Sequence, residues 1–213
     1  MNAPMPPVQP NPDAPPRAIF MFGAVMALAG LAAFIAGLSG TQPQRAWQAF
    51  FINFLLWSAM AQGAVLFAAV THTVKARWAG PLSGLSQAFV GFFPLSLICF
   101  PILLLGKNHL FPWLHEDLHG KEIWLNIPFL FGRDGIGFLV LYGFGLAFLS
   151  QDLKLRIRAT GSAAGLRRLL AGRLPQNDAE AERVRSRKTV WGGLYCFAFA
   201  LVLSLIGFDL VMS

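Results

Sequence analysis

The sequence predicts an all-α integral membrane protein with about five transmembrane helices in a bundle. Three observations lead there. Of 213 residues, 55% are hydrophobic and only 13% are charged, with a mean hydropathy of +0.56; a soluble domain carries about 25% charged residues. The apolar residues fall in continuous runs of roughly 20, the length of a helix across the hydrocarbon layer. They do not alternate as the strands of a membrane barrel do. Finally, the charge, formally +7, is gathered between the runs, most of it in one connecting segment.

The elements follow in order. Residues 1–17, opening MNAPMPPVQPNPDAPP, are proline-rich without a basic leader, which reads as a disordered tail and not a cleavable signal. Residues 18–149 form a four-helix transmembrane region. Its first span, 18–38, is rich in Gly and Ala, a composition that lets helices approach closely. The second, 47–71, carries Asn53, which requires a hydrogen-bond partner inside a membrane. Gln62 lies nine residues on and so on a different side of the helix. His72 closes this span. The third, 85–105, contains Pro94 and Pro101, so a bend is expected, each proline freeing a carbonyl one turn earlier.

A connector, 106–127, holds three of the four histidines, His109, His115 and His119, with Glu116, Asp117, Glu122, Trp113 and Trp124. Its indoles suit the headgroup level, with their N–H in water. His115 and His119 have the spacing of paired metal ligands on a helix. Pro112 precedes them, Gly120 follows and no HExxH occurs, so no metal site is assigned. The fourth span, 128–149, takes in Arg133 and Asp134. Residues 150–189 form a basic segment with ten basic residues against four acids. Within it, GLRRLLAGRL (165–174) reads as an amphipathic helix on the membrane. Residues 179–188 read as a solvated helical lead-in, with Glu180 and Arg187 spaced for weak surface pairing. Residues 190–213 are the fifth transmembrane helix and carry Asp209.

Charge fixes the expected orientation. With the amino terminus and the basic segment on one side, that side holds thirteen Lys and Arg against three on the other. The richer side is cytoplasmic by the positive-inside rule, which puts the connector on the periplasmic face. The same distribution answers the high net charge, because basic residues at a membrane surface meet anionic headgroups. No basic–aromatic module for nucleic acid occurs. Cys99 and Cys196 lie within apolar runs, outside any CxxC or CxxCH, so covalent haem and iron–sulfur ligation have no support. Walker, GxGxxG and Ser-centred elbow motifs are missing, and no catalytic residue is assigned.

Ionisable groups inside spans are the remaining signal, since each costs about 2.5–3.5 kcal/mol at the membrane centre. They are His72, Arg133, Asp134 and Asp209. Neighbours on a helix do not face each other, so Arg133 and Asp134 need partners on other helices. Asp209 is counted to the same membrane face as Arg133 and is the candidate pair. The competing reading has Arg133 snorkelling to the headgroups.

Four segments also form a pattern: WQAFFINFLLWSAMAQGAVLFAAVTHTVKARW (47–78), KNHLFPW (107–113), KEIWLNIPFLFGR (121–133) and FDLVMS (208–213). In this order and spacing they resemble the ActF-type membrane subunits of bacterial alternative complex III, within the polysulfide-reductase (NrfD-like) family. The resemblance covers 47–213 and is strongest over 110–133. It implies an integral membrane subunit of a respiratory quinol:electron-acceptor oxidoreductase, in the bacterial inner (cytoplasmic) membrane with a cytoplasmic amino terminus. Such a subunit contributes to quinol interaction, proton transfer or scaffolding. The ligand implied is a quinone such as menaquinone. Haem and iron–sulfur clusters belong to partners, a multihaem cytochrome c and an iron–sulfur subunit, alongside other membrane subunits and lipid. The positions implied for quinone contact or a proton path are His109, Trp113, Asn126, Arg133 and Asp209, to which the intramembrane charges add Asp134 and His72. A histidine near neutral pKa suits a proton-exchanging rim beside a quinol.

Two departures bear on this. Gln87 stands in the region where the family has an acid. Family members also continue past the D-x-V-M-S stretch with further spans, so a second chain is expected to supply a missing half-bundle. Two other readings stay open: a purely structural anchor without its own chemistry, and half of a small transporter, which the lack of inverted repeats weakens.

Overall fold

A computed structural model describes residues 17–76, 78, 88–115, 120, 123–161 and 166–211. The expected tail 1–16, Arg77, Gln87, Glu116, Asp117, His119, Lys121 and Glu122 lie outside the described residues, as does the side chain of His115. Every regular element among the described residues is helical. Five stretches are long and apolar enough to span a membrane: Ala18–Leu38, Pro43–Thr73, Val90–Leu110, Ile127–Thr160 and Asp178–Leu210. The chain is a multi-pass helical membrane protein, and it divides into two units, residues 1–47 and 48–213.

The first unit is α1 (Arg17–Leu38) and the start of α2 (Pro43–Thr73). Pro43 opens α2, where its missing N–H costs nothing and its fixed φ suits a helix. Trp47 meets Phe34 edge-on at 5.3 Å. A side chain at Gly37 would press on Ala46 at 3.0 Å, so the turn is closed on a glycine. Gly23 and Gly30 have nothing within 4 Å of where a Cβ would stand. The close approach expected of this Gly-rich span is therefore not made at these positions.

That approach is made in the second unit, between α5 (Ile127–Thr160) and α7 (Asp178–Ile206). A Cβ at Gly137 would lie 2.8 Å from Val202, and one at Gly145 would lie 3.3 Å from the rings of Phe93 and Tyr195. Dispersion between closely packed backbones drives helix association in lipid, where tails are as apolar as leucine. α5 stops at Gly161, whose left-handed φ of 69° lets its N–H reach the Ile157 carbonyl at 2.9 Å. α7 starts at Asn177, whose Oδ1 accepts the Glu180 N–H at 2.8 Å. Glu180 reaches back to accept the Gln176 N–H at 2.9 Å, a reciprocal cap. Glu180 is thus used in capping and not in the expected surface pair; Glu182 and Arg185 pair instead, at 3.2 Å.

The third span is broken as its prolines require. It runs as a 3-10 turn Val90–Phe92, α3 (Phe93–Ile102), a second 3-10 turn Leu103–Gly106 and α4 (Lys107–Leu110). The Val90 carbonyl, which Pro94 cannot serve, takes the Phe93 N–H. The amphipathic helix of the basic segment is the six-residue α6 (Leu166–Ala171). The rest of that segment is not a separate block, since α5 runs on to Thr160 and α7 begins at Asp178. Asn53 lies on the exposed face of α2 and donates to the Ala49 carbonyl at 2.8 Å. Its partner is in its own helix, while Gln62 on another face is wholly buried. Packed rings of Phe54, Phe100, Phe131 and Phe138, 5.1–6.1 Å apart where they meet, fill the core below the site described next.

Candidate functional site

Arg133 stands near the start of α5 and Asp209 in a π-helical turn, Gly207–Val211, that follows α7. The wider winding changes which face the residue presents, and such turns recur at functional sites. Arg133 Nε donates to Asp209 Oδ2 at 2.6 Å, and its Nη2 lies 2.5 Å from the same oxygen. The other oxygen, Oδ1, accepts the Trp124 indole N–H at 3.2 Å. The guanidinium also lies over the Trp124 ring at 3.8 Å and the Phe129 ring at 4.8 Å, where the ring quadrupole attracts a cation. Arg133 is 12% exposed at its side chain and Asp209 is 0%. The expected pair is present, and Arg133 turns inward to it instead of snorkelling.

Asp134 completes the cluster. It is fully buried, near the Asp209 carboxyl and Arg133. No N–H or O–H among the described residues reaches either of its oxygens, and Arg133 Nη1 is likewise buried without an acceptor. Two carboxylates against one guanidinium leave a net negative charge; one proton on the carboxyl pair makes the cluster neutral.

The other expected positions lie apart. His109 is exposed at the end of the short α4. Asn126 is the N-cap of α5 and makes no side-chain cap bond. Trp113 is buried against Phe111 at 5.6 Å, with its Nε1 unpartnered among the described residues. The indoles therefore do not face water as expected: Trp113 is enclosed, and the N–H of half-exposed Trp124 is bound to Asp209. His72 sits at the far end of α2, its Nε2 3.2 Å from Thr189 Oγ1. Among the described residues no three His, Cys, Asp or Glu side chains gather as metal ligands.

Sequence reasoning overlooked two groups. Asp152 accepts from Lys188 Nζ and from Arg156 Nε, both at 2.7 Å, near His72. Midway along the bundle the Tyr195 hydroxyl lies 2.6 Å from Gln62 Oε1, and Tyr142 bonds to Ser96. Asp152 and Lys188 both fall in the basic segment, where a charge reads as solvated. No family model, curated protein or solved structure matches the chain.

Proposed function

We propose that this chain is a membrane subunit of a respiratory quinol:electron-acceptor oxidoreductase of the bacterial cytoplasmic membrane, oriented with its amino terminus in the cytoplasm. It contributes a proton-exchanging group and a scaffold, and its partners carry the haem and iron–sulfur centres. The observation that carries the reading is the Arg133–Asp209–Asp134 cluster. Ionisable residues inside membrane spans are expensive, and where they occur they mark proton, ion or ligand pathways.

The leftover groups also suit a quinone. Among the described residues, Asp134 is a buried acceptor without a donor and Arg133 Nη1 a buried donor without an acceptor. A quinol hydroxyl donates to a carboxylate, and a quinone carbonyl accepts from a guanidinium. When bound, the quinone supplies the electron chemistry. Arg133 would orient it, and the carboxyl pair would hold the proton. The competing reading, an anchor without chemistry, draws on the Asp152 cluster, whose acid is already held by Lys188 and Arg156.

Purification in mild detergent tests the proposal. A particle that contains this chain together with covalently bound haem and iron–sulfur signals is the expected result. A stable homodimer free of both would sink it.

A further inference from the structure

A groove of about 600 Å³ lies between the third span, α5 and α6. That volume falls within the roughly 300–1,000 Å³ of small-ligand sites. Leu97 contributes from α3, Tyr142, Leu146, Leu149 and Leu153 from α5, and Arg167 from α6. The four α5 residues follow one face from Tyr142 to Leu153, about 16 Å of helix. We infer that this groove holds one acyl chain of an anionic phospholipid, whose phosphate is received by Arg167.

Three features lead to that occupant. First, the groove opens sideways to the bilayer: Leu97 and Leu146 are 36% and 37% exposed, while Leu149 and Leu153 are buried at 7% and 4%. A chain can enter from lipid and still find an enclosed wall. Tails gain nothing from leaving water here, so retention rests on packing and on the headgroup.

Second, the deep end asks for no polar ligand. Ser96 Oγ donates to the Phe93 carbonyl at 2.9 Å, so the Tyr142 hydroxyl donates to Ser96, and Phe93 stacks on the Tyr142 ring at 4.4 Å. A quinone ring placed there would meet a phenol already engaged, whereas a hydrocarbon chain needs nothing from it.

Third, the charged lining residue is a cation at the mouth. Arg167 and Arg168 are exposed on α6, beside Leu169, which is 78% exposed. A helix with such faces lies in the headgroup boundary, and basic pockets at this depth bind anionic headgroups. The inference goes beyond the proposed function and does not depend on it, because its readout is bound lipid and no redox step.

The full chain, with whatever subunits accompany it, is placed in nanodiscs of phosphatidylglycerol or of phosphatidylcholine. It is then washed in detergent, and the retained lipid is counted by native mass spectrometry. Phosphatidylglycerol is expected to be retained over phosphatidylcholine. Arg167→Ala should reduce that preference about fivefold, the worth of one basic residue at an anionic surface. Leu146→Trp should fill the groove and expel either lipid, and Arg45→Ala should change nothing. Equal retention of both lipids in the unmodified protein overturns the inference. So does an Arg167→Ala protein that keeps its preference, an equal loss in Arg45→Ala, or a Leu146→Trp protein that loses a quinone and keeps its phospholipid. Arg167 is exposed and its replacement leaves the core intact, so that variant decides the matter if Leu146→Trp fails to fold.

Discussion

Asp152 and Asp209 are both buried acids held by basic side chains toward opposite ends of α5 and α7, yet the two ends are balanced differently. Asp152 has two cations, Lys188 and Arg156, each at 2.7 Å. Asp209 has Arg133, and the carboxyl of Asp134 stands nearby. Among the described residues, one end sets two cations around one acid, and the other sets two carboxyls around one guanidinium. The Asp152 end is open to water or headgroups, since the Arg156 side chain is 38% exposed. The surplus carboxyl has no such outlet, because Asp134 is 0% exposed. An acid held by two cations fastens helices together. A buried carboxyl without a donor among the described residues suits a proton or a ligand, and this is why the proposed chemistry is placed at the Arg133 end.

Removing Arg133 tests that contrast most severely. Arg133→Ala leaves two buried carboxyls with no cation, and breaking a buried pair from one side costs on the order of 3–5 kcal/mol. The expected outcome is a large loss of assembled protein and of melting temperature in detergent. Asp209→Asn should cost less, because Asp134 remains to face the guanidinium. The double variant Arg133→Ala/Asp209→Asn should be less damaged than the two losses summed, as expected of groups in contact. An Arg133→Ala protein that assembles and melts normally would show that the cluster is not held by this charge.

A smaller effect is expected at the other end. Asp152→Asn removes charge-assisted hydrogen bonds worth about 1.5–3 kcal/mol each to stability. Lys188 and Arg156 have long stems that can carry their charges out to water once released, so the loss should lie at the low end of that range. Thermal unfolding of Asp152→Asn beside Arg133→Ala measures the difference directly. Equal losses would mean that the two clusters are the same kind of fastening.

Most of the fold was legible, because membrane spans announce themselves as unbroken apolar runs and prolines as breaks. The Arg133–Asp209 pair was legible for a similar reason: counting spans assigns each charge to a membrane face, and two opposite charges fell on the same one. What lay beyond reach depended on geometry that sequence period does not carry. The π-helical turn at Gly207–Val211 departs from the 3.6-residue repeat, so the meeting of Asp209 with Asp134 could not be counted out along α7. Trp124 was legible as an interfacial ring but not as a donor to a particular carboxylate. Asp152 and Lys188 were missed because one apolar run ends before Asp152 and the next begins after Lys188, while the helices themselves extend past both. The Gly and Ala of α1 misled for the opposite reason. Small residues permit close packing without requiring it, and the glycines that bring helices together are Gly137 and Gly145.

The smallest stability change and the sharpest functional one are expected from the same substitution, Asp134→Asn. The side chain keeps its shape and gains an N–H₂ that can donate to the neighbouring Asp209. No N–H among the described residues bonds to Asp134, so none is lost. A swap of this kind is close to neutral, within about 1 kcal/mol in either direction. Burial without a donor places the unmodified carboxyl among the costly groups, so a slight gain in melting temperature fits as well as a slight loss. Proton exchange is another matter, since an amide cannot share or carry the proton that makes the cluster neutral. In the assembled particle, quinol turnover per particle should therefore fall steeply in Asp134→Asn while assembly and melting stay near normal. Asp152→Asn should give the reverse, a lower melting temperature with turnover per particle preserved. If Asp134→Asn turns over as the unmodified protein does, the surplus carboxyl has no chemical task, and the Arg133 end is a second fastening like the one built on Asp152.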